Sequence, residues 1–191
     1  TPYIYMGEEI GMSDPGYTTI EDYADVEARN AFAELVEAGR DPAEAFRIVR
    51  SKARDNSRTP MQWDAGAGAG FTDGTPWLRP TNQAEINVAC EEAAGRILPY
   101  YRRLIALRKD MPVVSEGTYE PYAPDHPDVL AYIRRHGDRR LLVVCSFRGH
   151  ETSIDLPVSL LGGEALVSNY PARPLRPWAS LRPYEAFALL A

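Results

Sequence analysis

The hydrophobic pattern of this chain changes period at Met111-Pro112. Upstream, apolar side chains recur every three or four positions, as in Ile97, Tyr101, Leu104 and Ile105; downstream they alternate. A period near 3.6 builds one stripe of a helix, whereas a period of two builds one face of a strand. The two halves therefore cannot share one kind of secondary structure. The pattern predicts a helix-and-loop segment over residues 1–112 and a β segment over residues 113–191.

Composition narrows the class. The 191 residues carry 21 basic and 27 acidic side chains, a formal net charge of -6, with 45% hydrophobic and 25% charged residues. Those are values of a globular chain. No apolar run approaches the roughly 18 residues that span a membrane. The basic pairs Arg102-Arg103 and Arg134-Arg135 are interleaved with Glu and Asp, so no basic face for nucleic acid is formed. Neither a membrane nor a nucleic acid is expected as a partner. Cys90 and Cys145 are too few and too distant for a disulfide framework or a metal signature, and Cys145 lies in an apolar run as a packing residue. This favours a reducing, cytoplasmic setting. The chain opens Thr1-Pro2-Tyr3-Ile4-Tyr5, without an initiator Met, as if inside a β-strand. It reads as a fragment, so the missing signal peptide says nothing about secretion.

Local signals give the elements. Pro2–Tyr5 is rich in β-formers and reads as a short strand. Ile20, Tyr23, Val26, Phe32, Leu35 and Val36 have helical spacing up to Gly39. Asp41-Pro42-Ala43-Glu44 then starts a second helix, with Asp as N-cap and Pro at the first helical position. From Arg54 to Asn82, seven Gly and Pro residues with Trp63, Phe71 and Trp77 among them predict a long loop. A loop of that length in a compact domain usually carries function. The strongest helix runs from Ile97 to Lys109. Six strands follow, over 116–122, 129–135, 140–147, 152–156, 164–169 and 182–190, with a hairpin signal at Gly137-Asp138. They predict a small antiparallel sandwich or barrel.

The densest chemistry lies in Arg54-Asp55-Asn56-Ser57-Arg58-Thr59-Pro60-Met61-Gln62-Trp63-Asp64. Guanidinium forks and amides donate to hydroxyls, carboxylates accept from them, and an indole offers a flat face to a sugar ring. A loop tied down by its own Arg–Asp pairs has the same composition, and spacing leaves both readings open. Glu8 and Glu9 are adjacent, so on a strand they point to opposite faces; one is expected to pair with an Arg or with backbone N–H groups. The acidic run Glu21, Asp22, Asp25 and Glu27 reads as a solvated helix face. His126, His136 and His150 have no ligand spacing on a helix, so neither a metal nor another cofactor is expected.

The strings Thr1–Met12, Arg54–Asp64, Ala69–Thr72 and Pro76-Trp77, followed by Tyr100–Lys109 and Leu181–Phe187, resemble the C-terminal part of glycoside hydrolase family 13 α-glucosidases. The branch of oligo-1,6-glucosidases, dextran glucosidases and trehalose-6-phosphate hydrolases looks most similar. The resemblance covers essentially the whole chain. It implies an α+β fragment: residues 1–112 as the last strand, long final loop and last helix of a β/α (TIM) barrel, and residues 113–191 as the all-β antiparallel sandwich domain that follows. A full barrel needs roughly 250 residues. The family's catalytic carboxylates belong to segments upstream of Thr1, so the resemblance gives this chain no catalytic residue and no activity of its own.

The resemblance further implies substrate-binding roles. Arg54 would hydrogen-bond the non-reducing glucose, Glu27 would line the neighbouring subsite, and Arg58 would brace the loop from behind. The implied parent is a retaining enzyme acting on α-1,6-linked gluco-oligosaccharides. Trehalose-6-phosphate hydrolase is the alternative within the family. Two positions depart from the branch's habit: Met6 stands where Gln is common, and Ala31 where some relatives carry Asn. A reading from another class is a non-catalytic carbohydrate-binding or interaction domain over 113–191, with Tyr119, Tyr122, Tyr132, Tyr170 and Trp178 as candidate platform residues. A barrel strand and helix without their neighbours would expose apolar surface. Pro2–Ile10 is then expected to be loosely placed or covered by a second copy, with the chain self-associating.

Overall fold

The computed structural model describes residues 2–171 and 173–191; Thr1, the first residue of the opening string, lies outside them. The chain divides into two compact units, Thr1–Arg102 and Arg103–Ala191.

In the first unit, helix α1 spans Val26–Glu37 and α2 spans Pro42–Arg50. Asp25 caps α1 by accepting from Glu27 N, and Asp41 caps α2 by accepting from Ala43 N and Glu44 N, with Pro42 at the start. These bonds satisfy donors that have no partner in the first turn. Gly39 adopts φ 87 between the helices, a conformation open to glycine at little cost. The apolar faces pack on Tyr17, Tyr23, Ala28, Val49 and Ala53, with Tyr17 and Tyr23 edge-to-face at 5.2 Å. The helical spacing that begins at Ile20 is not one helix, because Ile20–Asp22 forms a separate 3-10 turn capped by Thr19 and Asp22.

Pro2–Tyr5 belongs to no sheet, which corrects the expected strand: no neighbour supplies a ladder, and Tyr3 stays 92% exposed. Glu8–Ile10 is a 3-10 turn rather than a strand end, and Ile10 is buried. Helix α3, Val88–Ala94, is not foreshadowed by the periodicity; Asn87 caps it through Cys90 N at 2.8 Å. Helix α4, Ile97–Asp110, begins on the Glu91 carboxylate, whose Oε2 accepts from Ile97 N at 2.7 Å and Leu98 N at 3.2 Å. No residue of α4 is buried, and Ile97, Leu104 and Ile105 are each about 40% exposed. It is the longest of the described helices, yet its stripe is left open.

The second unit starts with the end of α4 and a one-turn helix, α5, Pro112–Ser115, with Pro112 at its first position. Among the described residues seven strands follow: β1 Thr118–Tyr122, β2 Val129–His136, β3 Arg139–Ser146, β4 Thr152–Asp155, β5 Glu164–Ser168, β6 Trp178–Leu181 and β7 Ala186–Leu190. They form an antiparallel sheet in the order β1-β2-β3-β7-β5 and a smaller antiparallel pair, β4-β6. Leu142 and Val144 point from β3 into a core shared with Ile154 and Leu181 of the smaller sheet. Their neighbour Leu141 points the other way, into a second cluster with Val113, Leu166, Ala188 and Leu190. This is the alternation expected of a strand with both faces covered. Across Gly137-Asp138, His136 pairs with Arg139 and Gly137 takes φ 57, the two-residue hairpin that the sequence signals.

Two strand expectations are corrected. Trp178–Leu181 is a strand of its own, and the run 182–190 is broken before β7. The break is a turn in which Glu185 N donates to Arg182 O and Tyr184 takes φ 55. Glu185 is buried there and gathers Arg182 Nη2 at 2.7 Å and Arg173 Nη2 at 3.0 Å. Cys145 is half-buried on β3, not fully enclosed, and burial pushes its thiol above the ordinary range.

Candidate functional site

The Arg54–Ser57 segment is a 3-10 turn that meets the start of α1. Arg54 presents a two-pronged fork to Asp25: Nε donates to Oδ2 at 3.0 Å and Nη2 to Oδ1 at 2.7 Å. Such bidentate, charge-assisted pairs are the strong and directional ones. Nη2 also lies 3.0 Å from Glu27 Oε2. The Asp25 side chain is buried at 5% exposure, whereas those of Arg54 and Glu27 are 53% and 76% exposed. The root of the cluster is fixed and its working end is open. The Arg54 fork holds the Asp25 carboxyl below its usual range, and the Glu27 N–H adds to the effect against the opposing burial. Reciprocally, Asp25 raises the Arg54 guanidinium above its own ordinary value.

Beneath this pair sits Asp55, fully buried, whose Oδ2 accepts from Ala24 N and Asp25 N at 2.8 Å each. Among the described residues its Oδ1 has no hydrogen-bond partner, and Arg58 Nη1 stands off at 3.7 Å. Asn56 ties the turn back by donating to Arg50 O at 2.8 Å and accepting from Tyr23 Oη at 3.2 Å. Beside the cluster lies a cleft of about 210 Å3, floored by Ala28, Ala31, Leu35, Ile48 and Val49 and flanked by Glu27, Lys52 and Arg54.

Of the residues singled out in the sequence, Arg54 and Glu27 meet directly, while Arg58 faces Asp55 and not the open end. Two structural members were missed. Asp25 reads as part of an acidic run, yet it is the buried N-cap that clamps Arg54. Asp55 lies within the singled-out string but carries no assigned role; only the fold shows that it reaches back some thirty residues to the α1 entrance. Asp25 falls inside the helical spacing that begins at Ile20, so its capping role carries no separate signal in the sequence. Glu9 Oε2 accepts from Gly7 N at 2.8 Å, and Glu8 Oε2 accepts from Tyr101 Oη at 3.3 Å, so the adjacent carboxylates are occupied separately. Trp63, Phe71 and Trp77 remain exposed on the long loop.

Of the three carboxylates in the cluster, only that of Glu27 is exposed. Both oxygens of Asp25 are engaged and Asp55 is enclosed, so neither offers a free oxygen to a substrate carbon. Arg54 Nη1 makes no hydrogen bond among the described residues, leaving donors for a hydroxyl-rich ligand. Among the described residues no group of three His, Cys, Asp or Glu side chains could hold a metal ion. No helix among them is long and apolar enough to cross a membrane.

Compared with known families, residues 1–117 match the alpha amylase catalytic domain. The chain belongs to the alpha-amylase family. Residues 119–187 match the C-terminal domain of maltogenic amylase. Within this family, the trehalose-6-phosphate hydrolase of Bacillus subtilis (strain 168) is 44% identical over 195 residues, covering 97% of this chain and 34% of the relative. The oligo-1,6-glucosidase of Parageobacillus thermoglucosidasius is 43% identical over 194 residues, with the same coverage of 97% and 34%. The crystal structure of trehalose-6-phosphate hydrolase from Bacillus licheniformis superposes with a TM-score of 0.91 at 40% identity, covering all of this chain and 36% of that one. The chain thus spans about a third of the length of these relatives. The antiparallel domain expected from the alternating pattern is present, and the resemblance to family 13 glucosidases is established.

Proposed function

We propose that this chain is the C-terminal part of a retaining α-glucosidase that hydrolyses α-1,6-linked gluco-oligosaccharides. Residues 1–112 would supply the last strand, long final loop and last helix of its β/α barrel, and residues 113–191 the β domain that follows it in the chain. The observation that carries the reading is the Arg54 fork, rooted on buried Asp25 and open at its far end beside Glu27. In a retaining mechanism one carboxylate attacks the anomeric carbon while a second, about 5–5.5 Å away, protonates the leaving oxygen. Those two groups come from the remainder of the parent protein. Arg54 contributes hydrogen bonds to the hydroxyls of the glucose being cleaved, Glu27 accepts from the sugar next to it, and Arg58 stiffens the turn from behind. A fork already locked by Asp25 loses little rotamer freedom when sugar binds.

A trehalose-6-phosphate hydrolase is the second reading, favoured by Lys52, which lines the cleft beside Arg54 and could meet a phosphate. The deciding experiment compares isomaltose and trehalose 6-phosphate as substrates of the full-length protein. Turnover of isomaltose with little of the phosphorylated sugar is the expected result, and the opposite preference would select the second reading. The 191-residue chain alone is expected to release no glucose from either. In isolation it is also expected to self-associate through the open stripe of α4, seen as a mass above that of one chain in light scattering. The setting proposed is the cytoplasm, where the free thiols of Cys90 and Cys145 are stable.

A further inference from the structure

A groove of about 540 Å3 opens within the unit Arg103–Ala191, where the end of β1 and the turn after it meet β4 and β6. Its volume falls in the roughly 300–1,000 Å3 range of small-molecule clefts. Trp178 and Asp155 are register partners across β4 and β6, and both line it. Trp178 keeps 63% of its surface in solvent. An indole left open on a strand beside a groove offers a large flat apolar face. The floor is firm, because Ile154 belongs to the inter-sheet core.

The polar groups around that face are also fixed. His126 Nε2 lies 2.9 Å from Ser153 O, and its Nδ1 accepts from Asp128 N at 3.2 Å, so the turn after β1 is pinned to β4. Ala123 in that turn takes φ 48, a left-handed conformation that a Cβ-bearing residue adopts only when its surroundings hold it there. Tyr122 is half-buried on the wall; burial, and after it the Asp155 charge, push its phenol above the ordinary range and keep it a donor. A flat apolar face, an exposed carboxylate acceptor and a phenol donor match a pyranose ring, whose C–H face is apolar and whose hydroxyls lie at its edge. The Asp155 carboxylate disfavours an anionic ligand.

We propose that this groove is an auxiliary binding site for a neutral oligosaccharide, with Trp178 stacked on one pyranose ring and Asp155 and Tyr122 holding its hydroxyls. No residue of the Arg54 cluster takes part, so the site stands whether or not the catalytic reading does. The test is a titration of the 191-residue chain with isomaltotetraose, and separately maltotetraose, while the three indole N–H resonances of Trp63, Trp77 and Trp178 are followed by NMR. The Trp178 resonance is expected to shift in a saturable way with at least one of them. Trp178→Ala and, independently, Asp155→Asn are expected to weaken that binding by about tenfold or more, as removal of a central anchor does. Both side chains are exposed, so the core stays intact, which unchanged methyl resonances of Ile154 and Leu181 verify. Shifts at Trp63 or Trp77 without one at Trp178 would overturn the groove and leave the Arg54 reading standing. Silence at all three indoles, or binding unaffected by both substitutions, would overturn the groove as well.

Discussion

Replacing Asp55 by Ala removes the acceptor of two backbone donors at the entrance to α1. A buried donor left without a partner costs roughly 1–3 kcal/mol. The Asp25 N–H is buried and bears this in full, whereas the Ala24 N–H is partly open to water, so the loss should be about 2–4 kcal/mol. Urea unfolding of the 191-residue chain reads it, in a Trp178→Phe background where Trp63 and Trp77 report on the unit Thr1–Arg102. With a slope of about 2 kcal/mol per molar, the midpoint should fall by roughly 1–2 M. Asp55→Asn keeps a carbonyl oxygen with two lone pairs and should lose roughly half as much or less. A midpoint for Asp55→Ala within about 0.2 M of its parent would refute the idea that this carboxylate holds the site together. In the full-length protein the same change should weaken substrate binding by loosening Asp25, and with it Arg54.

Arg54→Lys replaces a fork by a point charge and should raise KM of the full-length protein about tenfold or more on isomaltose; unchanged kinetics would remove Arg54 from the sugar site. Leu142→Ala, in the inter-sheet core of the second unit, should cost about 2–5 kcal/mol by far-ultraviolet denaturation, and a loss below about 1 kcal/mol would mean that the two sheets do not share that core. At Glu185 burial raises the carboxyl pKa, but hydrogen bonds from Arg182 and the charge of Arg173 outweigh it and leave the folded value below the ordinary one. Its stabilisation is therefore present above the unfolded value near 4.3 and fades as pH falls through the folded one. Glu185→Gln should flatten that acid limb of the stability profile, and an identical limb in the variant would assign the effect elsewhere.

The elements legible in the sequence are those whose signals are local. Asp41-Pro42 starts α2 and Gly137-Asp138 turns β2 into β3 because a cap and a two-residue turn act over a few residues. Helix α3 was not legible, since seven residues hold too few apolar positions to show a period. Strand β6 hides behind a Pro-rich approach and exists through its pairing with β4, far back in the chain. Pro2–Tyr5 shows the converse, a good strand composition that forms no ladder without a neighbour. At the site, Arg54, Glu27 and Arg58 came from family resemblance and not from spacing. The part played by Asp25 and Asp55 could not be read from composition, because an acidic run looks alike whether solvated or buried.

The cluster around Arg54 also sets the electrical character of its surroundings. Two guanidinium groups, Arg54 and Arg58, stand among three acidic side chains, Asp25, Glu27 and Asp55. The cations are thus matched within the protein and draw no counterion from the buffer. An uncharged sugar can displace water from the open fork without expelling salt, so its affinity should vary little with ionic strength. A phosphorylated one would enter against the surplus acid and depend on Lys52 to offset it, so its binding would respond to ionic strength where that of the neutral sugar does not.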